Sequence, residues 1–210
     1  MRVVPPTRVT RPGSAWVGSD GNVNYLYNAN GQICAVETTY DSMTVMYGYI
    51  HDADGNRVAK GTITSFTSCD PTVNGFSTQT DYVRDQSDHP LSEFTLSGGN
   101  PVLAVTNVYG NGTLFATDDT TETHFYLNDW LATRRVQANY AGVVEQDCVS
   151  LPYGDSETCT PPPSGMLFTG KKRDAETSGG ISPFGSNQGN DYFGARYYSS
   201  VDLPPENSAR

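Results

Sequence analysis

Charged residues and long apolar runs are both scarce in this sequence. Asp, Glu, Lys and Arg together make up only 17% of the chain, and hydrophobic residues make up 36%, which is low for a globular protein. No segment approaches the roughly 18–20 apolar residues that a membrane-spanning helix needs, and the first 20 residues lack the apolar core of a signal peptide. The sequence therefore predicts no membrane insertion. Residues 1–19, with three arginines and three prolines, are predicted to be a flexible lead-in.

Basic residues are also few. The chain has 13 Lys and Arg against 23 Asp and Glu, which gives a formal net charge of −10. An acidic surface repels phosphate backbones, so nucleic-acid binding is disfavoured. The single basic run, Lys171-Lys172-Arg173, is followed by Asp174 and Glu176, and this mixture of charges predicts a solvated turn.

The four cysteines do not form a Cys-x-x-Cys pair, so the sequence does not indicate a zinc site. Cys148 and Cys159 bracket a loop rich in Pro and Gly and could form a disulfide in an oxidising compartment. A Cys34–Cys69 disulfide is a second alternative, and four free thiols are a third.

The sequence is rich in residues typical of strands and turns. It contains 21 Gly and 13 Tyr, with many Thr, Asn and Asp residues. Strands favour Thr, Tyr and Val, turns favour Gly, Asn and Asp, and the Glu and Lys of long helices are few. The composition therefore predicts an all-β protein with many turns.

A short motif occurs twice near the N-terminus, in residues 25–33 and 49–58. Both copies read Tyr, any residue, aromatic, Asn or Asp, Ala, Asn or Asp, Gly, polar, with a hydrophobic residue nearby. An Asn-Gly or Asp-Gly turn between two alternating segments is typical of a β-hairpin. Weaker copies lie at 82–91, 108–116, 125–136 and 135–145. Because one hairpin is marginal in water, the repeats are predicted to pair edge to edge into a curved, spiralling antiparallel sheet.

Three further stretches carry a family resemblance. Residues 128–136 are similar to an Asp-x-Leu-Gly-Ser-x-Arg segment, and residues 150–155 to a Pro-Phe/Tyr-Gly turn. Residues 168–177 and 191–198 are similar to Phe-Thr-Gly-Lys-x-Arg-Asp-x-Glu-Thr-Gly and Tyr-x-x-Ala-Arg-Tyr-Tyr runs. Together with the Tyr-x-Tyr-Asp-x-x-Gly units, this ordered set resembles the YD-repeat, or RHS, family of bacterial RHS proteins, insecticidal toxin-complex shells and teneurins, and in particular its RHS repeat-associated core.

The resemblance implies a division of the chain and a set of structural motif residues. The lead-in is followed by YD-repeat hairpins at 20–150, the end of the RHS repeat-associated core at 151–200 and a disordered tail at 201–210. The motif residues are Tyr25, Tyr27, Gly31, Tyr49, Asp52, Gly55, Asp129, Arg135, Gly154, Gly170, Arg173, Asp174, Tyr192, Ala195, Arg196, Tyr197 and Tyr198. Three departures stand out: Ala132 replaces a family Gly, residues 180–188 are inserted, and the family's segment after Tyr198 is missing.

The function that the resemblance implies is structural. The chain would be a truncated piece of a bacterial shell that encapsulates and helps deliver a C-terminal toxin or other effector. Its partners would be the rest of the shell and that effector, and it would be secreted or at the cell surface as part of a larger exported protein. The alternative is a cell-surface module whose exposed tyrosines bind carbohydrate or protein.

The sequence indicates no catalytic, cofactor-binding or metal-binding residues. The three histidines His51, His89 and His124 lie far apart, whereas a metal site needs about three convergent ligands. Asp118, Asp119 and Glu122 cluster, but nothing in the sequence pairs carboxylates across a substrate as a glycosidase requires. An enzyme is therefore the least favoured function.

Overall fold

The structure is a computed structural model that describes residues 9–10, 16–19, 23–40, 42–97, 99–154, 157–160, 165–178, 189–194 and 196–199. Over these residues it is all-β, apart from three one-turn 3-10 segments at Pro152–Gly154, Phe168–Gly170 and Ala175–Thr177. The strands, in chain order, are β1 (Val9–Thr10), β2 (Trp16–Ser19), β3 (Val23–Tyr27), β4 (Ile33–Tyr40), β5 (Met43–His51), β6 (Arg57–Thr62), β7 (Ser77–Arg84), β8 (Pro90–Ser97), β9 (Asn100–Gly110), β10 (Thr113–Asp119), β11 (Thr123–Asn128), β12 (Arg134–Asn139), β13 (Val144–Val149), β14 (Thr158–Thr160), β15 (Lys172–Asp174), β16 (Asn190–Phe193) and β17 (Arg196–Tyr198).

Each strand from β1 to β14 pairs with the strands that precede and follow it in the chain. All of these pairings are antiparallel, so the fourteen described strands form one meandering sheet, and β15, β16 and β17 form a second. This topology confirms the prediction of an all-β chain of consecutive antiparallel hairpins. Residues 1–19, which the sequence predicts to be a flexible lead-in, contain the two short strands β1 and β2. β1 pairs with β2, and β2 pairs with β3, so these strands extend the sheet. None of the helical segments described is long enough to cross a membrane.

The hairpin turns share one chemistry. Asn28 Oδ1 accepts hydrogen bonds from the backbone N–H groups of Asn30 and Gln32, both at 3.0 Å, and Gly31 has a φ of 77°. Asp52 and Gly55 make the same arrangement in the second copy. A side-chain oxygen at the first position and a residue that tolerates positive φ at the fourth therefore define these turns. Turns that begin at Asp85, Asp129 and Asn139 repeat the side-chain pattern.

Ala132 occupies the positive-φ position of its turn, with a φ of 63°. The Cβ atom makes this conformation unfavourable by about 1–2 kcal/mol, and glycine removes that strain. Glycine also increases the entropy of the unfolded chain, so we expect Ala132→Gly to raise the free energy of unfolding by a net amount of about 1 kcal/mol. Ala53→Gly is the matched control, since Ala53 lies in an equivalent turn at a position where φ is not positive. It should lower the free energy of unfolding by up to about 1 kcal/mol. Urea denaturation checks both, and equal effects of the two substitutions would contradict strain at Ala132.

The sheet has apolar residues on both faces of its N-terminal part. One face, which we call the tyrosine face, carries Tyr25 and Tyr49 packed with Val23, Ile33 and Val36. A second cluster contains Leu26, Cys34, Ala35 and Ile63, with Phe66, Cys69 and Phe76 against it. Since these last residues come from the connection between β6 and β7, that connection covers the second cluster.

Two disulfides join the four cysteines. Cys34 pairs with Cys69, which attaches the β6–β7 connection to β4. Cys148 pairs with Cys159 directly across the β13–β14 ladder. The structure therefore has both of the disulfides that the sequence left open, and the alternative of four free thiols is wrong.

Candidate functional site

The small sheet docks on the tyrosine face through a buried ion pair. We call β15–β17 with the turn Ala175–Thr177 the latch. Arg57, the first residue of β6, donates from both terminal nitrogens to Asp174 on β15, at 2.6 and 3.1 Å. Neither side chain is more than 1% exposed. Burial opposes both charges, but each stabilises the other, so the pKa of Arg57 is raised well above its ordinary value and the pKa of Asp174 is lowered.

Tyrosines from both sheets surround the Arg57 guanidinium. Its carbon lies 4.3 Å from the ring centroid of Tyr192 and 5.0 Å from that of Tyr49. Arg57 also donates to the Tyr197 hydroxyl at 3.2 Å, and its backbone N–H donates to the Tyr192 hydroxyl at 2.9 Å. The positive charge is therefore held between aromatic faces and one carboxylate, an arrangement that favours a desolvated arginine.

A second pair of charges lies beside the first. Lys60 on β6 contacts Glu176 at 2.7 Å, and the Tyr49 hydroxyl donates to the other oxygen of Glu176 at 2.5 Å. Burial opposes the Lys60 charge, but Glu176 and Asp174 outweigh it and raise the pKa of Lys60. The latch thus places two carboxylates against two cations from one strand.

The segment that the sequence predicts to be a solvated turn is instead the buried centre of the latch. Arg173, Asp174 and Glu176 are all buried, and Lys172 contacts Glu93 of β8 at 2.8 Å. The prediction was wrong because the partners of Lys172, Asp174 and Glu176 come from strands 79 or more residues away. The mixture of charges within residues 171–176 gives no information about partners so far away in the sequence.

Arg173 connects β15 to β16 within the latch and also lies close to Glu157. It donates from Nε and from one terminal nitrogen to Asp191 on β16, at 2.9 and 2.8 Å. Its terminal nitrogen lies 3.6 Å from Glu157, which immediately precedes β14 and is buried. Burial raises the pKa of Glu157 to about 7, with Arg173 opposing the shift and Asp191 adding to it.

The raised pKa of Glu157 predicts a pH-dependent stability. Between about pH 4.5 and pH 7 the folded chain keeps a proton that the unfolded chain has lost, so stability falls as the pH rises through this window. We expect wild type to lose on the order of 2–3 kcal/mol more than Glu157→Gln between pH 5 and pH 7.5. Urea denaturation at a series of pH values measures this difference. Parallel pH profiles for the two proteins would contradict it.

The latch brings together many of the predicted motif residues. Tyr49, Asp174, Tyr192 and Tyr197 all contact Arg57, and the Tyr25 hydroxyl accepts a hydrogen bond from Asn190 of the latch at 3.1 Å. Tyr27 packs at the edge of the tyrosine-face cluster.

Gly154 and Tyr198 meet at a neighbouring contact. A Cβ on Gly154 would lie 2.5 Å from the ring of Phe168, so only glycine fits there. Tyr198 stacks on Phe168 and donates its hydroxyl to the Tyr153 carbonyl at 2.9 Å.

Three further predicted residues, Asp129, Arg135 and Gly170, lie outside the latch. Asp129 and Arg135 pair at 2.9 Å beside the β11–β12 turn, and Gly170 supplies a positive φ of 65°. Arg196 is exposed on β17. Ala195 lies outside the described residues.

The sequence reasoning missed the residues of the large sheet that receive the latch. Arg57, Lys60, Glu93 and Glu157 were not singled out. One signal was present: Arg57 follows the turn of the second copy at the position that Ile33 has in the first, and both are buried. A charged residue in an apolar repeat position indicates a buried partner.

The fold is similar to solved structures of one toxin system. A crystal structure of TcdB2-TccC3 is 16% identical over 85% of this chain, with a TM-score of 0.59. A crystal structure of TcdB2-TccC3 without its hypervariable C-terminal region is 17% identical over 85% of this chain, with a TM-score of 0.56. The Photorhabdus luminescens Tc holotoxin pore is 16% identical, also over 85%, with a TM-score of 0.52.

These likenesses show a shared fold. This chain spans only 8–9% of the length of those structures. No family model and no curated protein sequence matches the chain. The fold and the site therefore define an antiparallel hairpin meander whose tyrosine face is covered by the latch, and this fold resembles a segment of those much larger structures.

Proposed function

We propose that this chain is a non-enzymatic structural segment from the closing end of an RHS-type shell, which encloses and helps deliver a C-terminal toxin or effector. The observation that carries the proposal is the latch. The two sequence runs that resemble the end of such shells, residues 168–177 and 191–198, fold together and cover the tyrosine face of the repeats. The carboxylates of the latch hold the two sheets together through their ion pairs with Arg57 and Lys60.

The geometry supports a structural role for these charges. Asp174 and Glu176 are buried and bound to Arg57 and Lys60, so the ion pairs are withdrawn from any substrate in solvent. A buried, doubly hydrogen-bonded pair favours one packing arrangement over alternatives. Such a latch suits the place where a winding sheet must stop and be sealed.

The test uses the longest protein that the gene encodes around these residues. Electron cryomicroscopy should show the β1–β14 meander continuing into a closed wall around additional polypeptide, and trypsin should leave the enclosed C-terminal polypeptide intact. A released C-terminal fragment on maturation would support delivery of an effector. A meander that ends as an isolated domain, with the C-terminal polypeptide digested as fast as when free, would contradict the proposal.

A surface-binding module is the second candidate, and exposed aromatic side chains favour it. Trp130, at the β11–β12 turn, is 90% exposed, and Tyr140 and Tyr153 are also exposed. Aromatic faces of this kind stack on sugars or on protein side chains. Binding of the purified chain to a glycan array, competed by free sugar and lost in Trp130→Ala, would support this function. No binding above an unrelated acidic protein would reject it.

A further inference from the structure

An imidazole and three carboxylates converge at one end of strands β10 to β13. Glu122 immediately precedes β11, His124 lies on β11, and Glu145 lies on β13. One ligand atom from each of these three lies within 4.8 Å of the others. Asp119, the last residue of β10, contacts the same imidazole. Asp119 and Glu122 cluster in the sequence, but Glu145 comes from a strand 21 residues beyond His124, so no local pattern indicates the group.

The two nitrogens of His124 have different neighbours. Nδ1 lies 2.6 Å from Glu145 Oε2, and Nε2 lies 3.2 Å from Asp119 Oδ2. Asp119 is itself held by the backbone N–H and the hydroxyl of Thr121, both at 2.6 Å. The imidazole ring is therefore fixed from both sides.

Asp119 is suited to orient the imidazole. Its Oδ1 accepts the two hydrogen bonds from Thr121, which leaves Oδ2 facing His124 Nε2. A carboxylate at Nε2 favours a proton on that nitrogen, so a metal ion would replace the proton that Nδ1 shares with Glu145 Oε2 in this structure. A carboxylate behind a histidine has this role in many metal sites.

Glu145 is also positioned by a neighbour. Gln137 on β12, the strand between His124 and Glu145, donates to Glu145 Oε2 at 3.2 Å. The carboxylate is thus held above β12, toward the Nδ1 side of the imidazole. All three side chains are partly buried, so water can reach the group and fill remaining positions around an ion.

We propose that Glu122, His124 and Glu145 form a binding site for a divalent transition-metal ion of the zinc class. One imidazole nitrogen and two carboxylates make a ligand set that suits Zn²⁺, with water as a further ligand. Two negative ligands match the charge of the ion, and the imidazole disfavours Mg²⁺ and Ca²⁺, which prefer oxygen. The ion would fasten the β10–β11 hairpin to β13 across β12.

A second histidine provides an internal comparison. His89 Nδ1 lies 2.9 Å from Asp85 Oδ2, and its ring stacks on Tyr109. Only the group around His124 gathers three or more metal-ligating side chains among the residues that the structure describes. His89 therefore has a carboxylate partner without the convergent ligands, which makes His89→Gln a matched control.

The test is zinc binding by the purified 210-residue chain after treatment with a chelator. Isothermal titration with ZnCl₂ should show one ion per chain. His124→Gln and Glu122→Gln should each weaken binding by at least about tenfold, as loss of one ligand implies. His89→Gln should bind as wild type does, and MgCl₂ at equal concentration should not compete.

Two outcomes would overturn the proposal. One is the absence of zinc binding by wild type. The other is binding that His124→Gln and Glu122→Gln leave unchanged or that Mg²⁺ displaces equally well, since this would indicate only general attraction to an acidic surface. X-ray absorption at the zinc edge of the wild-type complex keeps the proposal testable if His124→Gln does not fold. It should show imidazole scattering, and its absence would contradict the assignment.

Discussion

Replacing Asp174 with alanine is expected to lower the free energy of unfolding by about 3–5 kcal/mol. The substitution leaves the Arg57 guanidinium buried without its carboxylate, and an uncompensated buried charge costs this much in proteins. It also removes the anion that favours docking of the latch on the tyrosine face. Urea denaturation followed by circular dichroism and tyrosine fluorescence measures the loss.

Arg135→Ala is the matched control for this prediction. It removes the Arg135–Asp129 pair, which has a similar distance of 2.9 Å but lies where both side chains are partly exposed. Such pairs contribute about 1 kcal/mol or less. If Asp174→Ala costs no more than Arg135→Ala, the Arg57–Asp174 pair does not hold the latch.

Removing the Cys34–Cys69 disulfide is expected to have the second-largest effect. The disulfide links residues 35 positions apart and lowers the entropy of the unfolded chain, which stabilises the fold by about 4 kcal/mol. Replacing both cysteines with alanine removes this stabilisation. It also frees the β6–β7 connection that covers Leu26, Ala35 and Ile63. Denaturant unfolding under non-reducing conditions measures the change.

The Cys148–Cys159 disulfide offers a comparison within the same chain. Its separation is 11 residues, and the same estimate gives about 3 kcal/mol for the corresponding double substitution. The longer bridge should therefore contribute more, and the additional packing around Cys69 should widen the difference. A larger loss on removing Cys148–Cys159 would contradict this ranking.

Local chemistry made the hairpins predictable from the sequence. The Asn28-to-Gly31 and Asp52-to-Gly55 turns have the side-chain hydrogen bonds and positive φ values that their residue types favour. Alternation around those turns was sufficient to infer an antiparallel meander. The sequence also shows that Ala132 stands where the related repeats have glycine. The structure keeps the left-handed backbone conformation at this position although the residue is alanine.

Long-range partners could not be predicted in the same way. Arg57 and Asp174 are 117 residues apart, and His124 and Glu145 are 21 apart with β12 between them. Which charges meet depends on where the latch docks and on register shifts such as the one between Gln137 and Ala138. Neither feature leaves a local sequence pattern, so the resemblance indicated the latch motifs but not the residues that receive them.

The most direct test of the latch is a double-mutant cycle on Arg57 and Asp174. Unfolding free energies are measured for wild type, Arg57→Ala, Asp174→Ala and the double variant. If the pair joins the two sheets, the double variant should be more stable than the sum of the single losses predicts, with a coupling energy of about 2–3 kcal/mol. Losses that add to within about 0.5 kcal/mol would show that the two side chains do not interact, and would contradict the docking of the latch on the tyrosine face.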